Sequence, residues 1–207
     1  QVRPGRWLTR DEANALLDAA DDGTVQGQRD HLLILLGLLT GLRRSELVGL
    51  RWRDVDLSSG RLSVRGKGGK IATIGLPEQA RAATRTWQLR LHDMQGRAPR
   101  PDEPVLPTGR AHGGLLHSER EYTLLFRQPL SKWAARAIIA RRAQEAGLGV
   151  VATHDLRRSF AGFLDEDGQS LQGIQAALRH SSPTVTARCY LDPSPRRAVD
   201  AVAELRI

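Results

Sequence analysis

The sequence predicts a mainly α-helical fold with a small antiparallel β-sheet, in the α+β class. Most of the chain spaces apolar residues three or four apart behind residues that favour helix N-termini. One short stretch instead alternates apolar and polar residues around a glycine-rich turn. The 207 residues, 40% of them hydrophobic, are enough for one large domain or two small ones with a buried core.

The first fifty residues predict three helices. Residues 9–12 have the pattern of a capping box, which starts a first helix at about Arg10–Ala20. A leucine-rich second helix is predicted from near residue 28 to residue 39. The sequence Thr40-Gly41 interrupts it, and a short third helix follows through Leu50.

A hairpin and a fourth helix come next. Leu62 and Val64 alternate with polar residues, residues 66–70 form a basic, glycine-rich turn, and residues 71–76 form the return strand. Pro77 then opens a helix that extends to about Met94.

The rest of the chain divides into a connection and a helical part. Residues 96–129 show weak periodicity and many Pro, Gly and Arg residues, so we expect a long connection without regular structure. Helices are then predicted at residues 131–147, 154–165, 170–178, 183–189 and 195–205.

The composition limits the class of function. Lys and Arg number 31 against 23 Asp and Glu, a net charge of +8, which favours a polyanionic partner such as DNA. A basic protein without such a partner has the same charge, so composition alone leaves both open. The single cysteine, Cys189, excludes an internal disulfide and fits a reducing compartment. The longest apolar run, residues 32–39, is too short to span a membrane.

Four segments carry side chains that could take part in catalysis or phosphate binding: residues 40–47, 66–70, 154–160 and 178–190. Together they contain arginines, a lysine, histidines and a tyrosine. Metal-free cleavage of a phosphodiester needs these groups, because arginine neutralises phosphate oxygens, lysine protonates a leaving oxygen, and a deprotonated tyrosine attacks phosphorus. No closely spaced His/Cys cluster indicates a metal site.

Helical spacing supports parts of this hypothesis. It places His154, Arg157 and Ala161 on one side of a helix, and an apolar cluster on another side, formed by Leu156, Phe160, Phe163 and Leu164. Arg43 and Glu46 are i, i+3 neighbours, so the carboxylate can orient the guanidinium.

Each feature alone has a simpler, structural interpretation. The spacing of His154 and Arg157 is typical of a solvated helix edge, and the Arg43–Glu46 pair of a surface ion pair. Lys67 suits a solvated turn, and Tyr190 a half-buried core tyrosine.

The four segments together resemble the tyrosine recombinase (phage integrase) family. Thr40-Gly41-Leu42-Arg43-Arg44-Ser45-Glu46-Leu47 is similar to its first box, Gly66-Lys67-Gly68-Gly69-Lys70 to its hairpin lysine, and His154-Asp155-Leu156-Arg157-Arg158-Ser159-Phe160 to its His-x-x-Arg box. His180-Ser181-Ser182 through Tyr190 is similar to its final segment. The resemblance spans nearly the whole chain.

The resemblance implies a role for each matched residue. Arg43 and Arg157 would hold the scissile phosphate, and Lys67 would protonate the leaving 5′ hydroxyl. His154 would be the acid–base partner of Tyr190. The further implied roles are a phosphate hydrogen bond from His180, support from Glu46, and DNA contacts from Arg44, Lys70, Arg158 and Arg179.

By the same resemblance the fold is the catalytic-domain fold of tyrosine recombinases, and the reaction passes through a 3′-phosphotyrosyl link. Double-stranded DNA is then the partner, and no metal or nucleotide cofactor is needed. We expect a tetramer on paired sites, a monomer when free, and integration or excision of a mobile element. The expected location is cytoplasmic, bacterial or phage-type, and nucleoid-associated.

The domain organisation follows from the same comparison. Residues 1–207 are expected to form the catalytic domain, and the chain begins at Gln1 rather than Met, so we expect a piece of a longer protein whose N-terminal DNA-clamping domain is absent. Residues 191–207 are expected to form a tail helix that docks on a neighbouring subunit.

Three features depart from the family pattern. Arg179 replaces the usual glycine before the final histidine, the interval from His180 to Tyr190 is one residue longer than in some members, and residues 96–129 fit poorly.

Three alternatives remain open. A type IB topoisomerase shares the chemistry, and a DNA-binding protein without activity could keep the fold. RNA binding is the third, and the low aromatic content of 4% argues against it.

Overall fold

The fold is taken from a computed structural model, which describes residues 6–65, 69, 71–112 and 121–179. The helices of this part of the chain are α1 (Arg10–Ala20), α2 (Val25–Thr40), α3 (Arg44–Gly49), α4 (Glu78–Gln95), α5 (Lys132–Glu145), α6 (Thr153–Glu166) and α7 (Leu171–Leu178). The strands are β1 (Val55–Asp56), β2 (Arg61–Arg65), β3 (Ile71–Gly75), β4 (Pro107–His112) and β5 (Glu121–Pro129). The predicted α+β class is confirmed.

Local sequence signals determine most helix starts. Thr9 accepts from the backbone N–H of Glu12 while Glu12 accepts from that of Thr9, so the predicted capping box is present. The Thr24 hydroxyl accepts from the Gly27 N–H and caps α2, which begins three residues earlier than the apolar pattern suggested. Ser131 and Ser170, where the sequence predicts two helices to begin, are the N-caps of α5 and α7.

The predicted hairpin is present, and it belongs to a three-stranded antiparallel sheet. β2 pairs with β3, with Leu62 opposite Ile74 and Val64 opposite Ala72. β1 pairs with the other edge of β2. Leu62 and Val64 point into the core, in agreement with the alternation in the sequence.

The expectation of a long connection at residues 96–129 is wrong. β4 and β5 form a second antiparallel ladder there, with an irregular register between Pro107 and Thr108. Gly109 fits this ladder because the Tyr122 ring occupies the space that a side chain would need. Proline and glycine therefore mark a bulge and a close packing contact, which weakened the strand pattern.

The core is built around α2, which is buried along most of its length. The side chains of α1, α4, α5 and α6 pack against it. At Gly37 the α6 side chain of Leu156 comes so close that a Cβ would lie 2.8 Å from its Cδ1 atom. α6 is thereby fixed across the middle of α2.

A buried ion network joins α2 to α5. The Asp30 carboxylate is fully buried and binds Arg29 at 2.7 Å, Arg141 at 2.7 Å and Arg142 at 3.2 Å. A buried carboxylate needs such partners, because an unpaired charge in the interior is very costly. The network holds α5 so that its N-terminal turn lies beside α3 and α6.

No helix among the described residues combines the length and the apolar character needed to cross a bilayer. The predicted helices at residues 183–189 and 195–205 lie outside the described residues.

The turn that ends α2 gives a stability prediction. Gly41 has a φ of 57°, and a Cβ there would overlap the Phe160 ring of α6. Gly41→Ala combines left-handed strain with overpacking, so we expect it to lower the free energy of unfolding by about 2–5 kcal/mol in urea titrations.

Gly23→Ala is the matched control, because Gly23 has a φ of 75° but nothing within 4 Å of its Cβ position. It should cost about 1–2 kcal/mol, the strain alone. Equal losses in the two variants would contradict the close packing of α6 on this turn.

Candidate active site

α6 carries two of the predicted site residues. It begins after Ala152, whose backbone N–H donates to the Asp155 carboxylate at 2.9 Å. His154 in its first turn is exposed, whereas Arg157 in the next turn is 2% exposed. Ser159 fixes the helix further, since its hydroxyl accepts from the Leu8 N–H at 2.7 Å.

The predicted edge of this helix is correct for His154 and Arg157, which line one cavity, and wrong for Ala161. Ala161 is buried against Ile174 and Leu178 because α7 covers that side of α6. The predicted apolar cluster is also divided: Leu156 belongs to the main core, and Phe160 packs in the small cluster under α7. Helical spacing alone could not show that a second helix covers part of the edge.

Arg157 connects three segments from its buried position. Its Nη1 donates to the carbonyl oxygen of Gly41 at the end of α2, and its Nη2 donates to that of Leu178 at the end of α7. Helix C-terminal carbonyls lack intrahelical partners and carry partial negative charge, so a guanidinium suits both. The spacing of residues in the sequence gives no sign of this architectural role.

Arg43 and Glu46 form the predicted pair. The Glu46 carboxylate accepts from Arg43 Nη1 at 2.9 Å and from the Arg43 backbone N–H at 2.8 Å. Arg43 occupies the N-cap position of α3, one residue ahead of the helix. Glu46 is 5% exposed and Arg43 44% exposed, so the carboxylate is a buried anchor and the guanidinium faces outward.

The structure adds Arg179 to this pair. Its Nη2 donates to the second oxygen of Glu46 at 2.7 Å, and its backbone carbonyl accepts from Arg43 Nη2 at 3.3 Å. Arg179 therefore contacts the two residues of the first box directly, instead of facing outward as a surface DNA contact would.

A cavity of about 550 Å³ lies where α3, α5 and α6 meet. Its polar and charged lining residues are Arg43, Arg44, Ser45, Lys132, Arg136, Thr153, His154 and Arg157. The structure thus brings together Arg43 of the first box and Arg157 of the His-x-x-Arg box, which are 114 positions apart in the chain. A cavity of this charge can hold a phosphate group.

Lys132 and Arg136 were not found from the sequence. Both are exposed on α5 and line the cavity beside the predicted residues. Their i, i+4 spacing behind the Ser131 cap was the available signal, but only the packing of α5 against α3 shows where that face points.

Arg158, a predicted DNA contact, does not line this cavity. It is mostly buried, and its guanidinium lies 3.9 Å from Asp155.

The electrostatic environment of His154 favours the neutral imidazole. Although the residue reaches the solvent of the cavity, partial burial of the ring lowers its pKa below the ordinary value of 6.5. Repulsion from Arg158 and Arg157 lowers this pKa further, and Asp155 opposes them. A neutral imidazole can accept a proton at neutral pH.

Four predicted site residues, Lys67, Lys70, His180 and Tyr190, lie outside the described residues. The described strands β2 and β3 flank the first two, and α7 ends just before the others. Within the described residues no group of three or more His, Cys, Asp or Glu side chains could hold a metal ion. The expectation that no metal is needed stays a prediction.

Comparison with known proteins identifies the family. The model of the phage integrase family matches residues 6–197. Tyrosine recombinase XerC of Xanthomonas campestris pv. campestris (strain B100) is 37% identical over 180 residues, which are 86% of this chain and 49% of that protein. Tyrosine recombinase XerD of Neisseria meningitidis serogroup A is 31% identical over 179 residues, 86% of this chain and 56% of that protein.

Solved structures agree on the fold. The crystal structure of XerA recombinase superposes with a TM-score of 0.73 at 23% identity, over 100% of this chain and 68% of that chain. XerH site-specific recombinase, bound to a palindromic difH substrate, gives a TM-score of 0.71 at 22% identity, over 98% of this chain and 54% of that one.

The chain belongs to the phage integrase family, and its fold is that of tyrosine recombinases. The resemblance inferred from the four segments is confirmed. The chain spans about half the length of the curated relatives described above.

The environment of His154 gives the second prediction. Arg158→Gln removes a cation that disfavours the imidazolium, so the pKa of His154 should rise toward its ordinary value. The measurement is an NMR titration of the His154 ring proton, assigned by its loss in His154→Asn.

Arg127→Gln makes the same charge change at an exposed position beside Arg100 and Asp102. It should not change the pKa of His154. A His154 titration that is the same in Arg158→Gln and in the unsubstituted chain would refute the electrostatic account.

Proposed function

We propose that this chain is the catalytic part of a site-specific DNA recombinase or integrase, which cleaves and rejoins DNA through a 3′-phosphotyrosyl intermediate. The observation that carries the proposal is one basic cavity lined by Arg43, His154 and Arg157, in a chain of the phage integrase family. Phosphate recognition and proton transfer then have side chains at one place.

The cavity residues supply charge for the transition state. A phosphodiester under attack concentrates negative charge on its non-bridging oxygens, and fixed guanidinium groups stabilise that charge. Arg43 is exposed and held by Glu46, so it can meet the phosphate without reorganising. Arg157 lines the same cavity, although its side chain is almost fully buried. Lys132 and Arg136 extend the positive field over the neighbouring DNA backbone.

Each proton transfer has one proposed donor or acceptor. Neutral His154 accepts the phenolic proton as the Tyr190 oxygen attacks phosphorus, and the bond to the 5′ oxygen breaks. Lys67 donates a proton to that leaving oxygen, and His180 donates a hydrogen bond to the phosphate. A 5′ hydroxyl from a second strand reverses the step, so the bond energy is conserved and neither a metal nor a nucleotide is consumed.

Double-stranded DNA is the proposed partner. The XerH structure is a complex with a palindromic difH substrate. The lambda integrase structure, which matches this chain with a TM-score of 0.63, is a dimer bound to a COC' core site. We extend DNA binding and self-association to this chain, as a tetramer on paired sites and a monomer when free. Residues 191–207 are proposed to dock on a neighbouring subunit, and the bacterial nucleoid is the proposed site of action.

The nucleophile assignment gives the third prediction. With a nicked suicide substrate in EDTA, the unsubstituted chain should form a covalent adduct that denaturing gels resolve. Tyr190→Phe should abolish the adduct and leave DNA binding nearly unchanged, because only the attacking oxygen is lost.

Tyr122→Phe is the matched control, since Tyr122 is the other of the two tyrosines in the chain. Tyr122 lies on β5, and its hydroxyl accepts a hydrogen bond from the Arg29 guanidinium of α2. It does not line the cavity, so the adduct should persist. An adduct retained in Tyr190→Phe, or mapped to Tyr122, would overturn the assignment.

The role of Lys67 gives the fourth prediction. Lys67→Ala should slow cleavage by about 10²–10⁴-fold, and a 5′-bridging phosphorothiolate should restore much of the rate, because sulfur leaves without protonation. Lys70→Ala removes a predicted DNA contact in the same predicted turn, and at saturating DNA it should show neither the slowed cleavage nor the selective rescue. If the sulfur substrate gives no selective gain, Lys67 binds DNA and does not protonate the leaving group.

A further inference from the structure

The conformation of Arg179 is unusual for its residue type. It has φ 54° and ψ 44° at the C-cap of α7, and among the described residues no other non-glycine residue has a positive φ. This left-handed region favours glycine, because a Cβ crowds the backbone there. An arginine at this position therefore carries a backbone cost, which the contacts of its side chain can offset.

The side chain of Arg179 reaches back to the first box. It is 14% exposed, and its guanidinium lies 2.7 Å from Oε2 of Glu46. The other oxygen of Glu46 binds Arg43 at 2.9 Å. One buried carboxylate is therefore shared between two guanidinium groups, one of them buried and one facing the cavity.

Sharing changes the charge that Arg43 presents. A carboxylate paired with Arg43 alone would cancel its charge, whereas two arginines around one carboxylate leave a net positive charge. Oε2 accepts from the Arg43 backbone N–H at 2.8 Å and from Arg179 at 2.7 Å, so two donors hold the carboxylate plane and leave Oε1 to Nη1 of Arg43. The Arg179 carbonyl holds Nη2 of Arg43 from the other side.

We infer that Arg179 is a positioning residue, which locks the Glu46 carboxylate so that the Arg43 guanidinium is held, with its charge uncancelled, toward the phosphate. Arg179 acts through Glu46 and does not touch the phosphate. This inference rests on the proposed function.

The test compares Arg179→Gln with Arg179→Lys. Both keep an unbranched side chain in the same strained backbone, so they differ mainly in charge. Arg179→Gln should slow adduct formation at saturating DNA by about tenfold, since small misplacements of a catalytic group have large effects on rate. DNA affinity should change by less than about threefold, and Arg179→Lys should recover part of the rate.

A double-mutant cycle with Glu46→Gln identifies the route. If Arg179 acts through Glu46, Arg179→Gln should have little further effect in the Glu46→Gln background. Arg97→Gln is the control, because Arg97 pairs with buried Glu103 at 2.6 Å outside the cavity lining and should not slow cleavage.

A second readout does not depend on cleavage. Phenylglyoxal labelling of Arg43, followed by peptide mass spectrometry, should be slower in Arg179→Gln than in Arg179→Lys or the unsubstituted chain, because Glu46 then pairs with Arg43 alone. Equal labelling in all three would overturn the inference. A rate and affinity loss of equal size that persists in the Glu46→Gln background would make Arg179 a DNA contact instead. An unsubstituted chain that forms no adduct refutes the proposed function, and the labelling result still decides this inference.

Discussion

Two hydrogen bonds from the Arg157 guanidinium determine the geometry of the candidate site. They join the carbonyl of Gly41, just before the first box, to the carbonyl of Leu178, just before Arg179. Three segments distant in sequence thereby meet at one buried cation. A charge at 2% exposure is stable only with such acceptors, so the interior requires these contacts as much as the site does.

The arrangement of charge follows from that anchor. With α7 and the Gly41 turn held together, Arg179 reaches Glu46, and Glu46 holds Arg43 at the cavity. His154 shares α6 with Arg157 and Arg158, and its pKa is lowered by partial burial and then by repulsion from Arg158 and Arg157. Arg157 thus both lines the proposed phosphate site and favours the neutral imidazole.

Many elements of the fold and part of the candidate site could be predicted from the sequence, because helix capping, strand alternation and helical spacing act over a few residues. The capping box at Thr9, the β2–β3 alternation and the Arg43–Glu46 spacing all specify geometry within one element. The β4–β5 ladder was missed, since a bulge and Gly109 break its alternation. The burial of Arg157, the lining positions of Lys132 and Arg136, and the Arg179–Glu46 contact depend on long-range packing, which periodicity cannot report.

The central claim is that Arg157 holds the Gly41 turn and the end of α7 together. Hydrogen exchange of Arg157→Lys tests it directly, because lysine keeps the charge but cannot reach both carbonyls. We expect exchange about tenfold or more faster at residues 40–46 and 171–178, since hydrogen bonds to charged groups contribute about 1.5–3 kcal/mol, with α1 unchanged. Unchanged exchange in both segments, or an equal increase in every helix, would contradict the account.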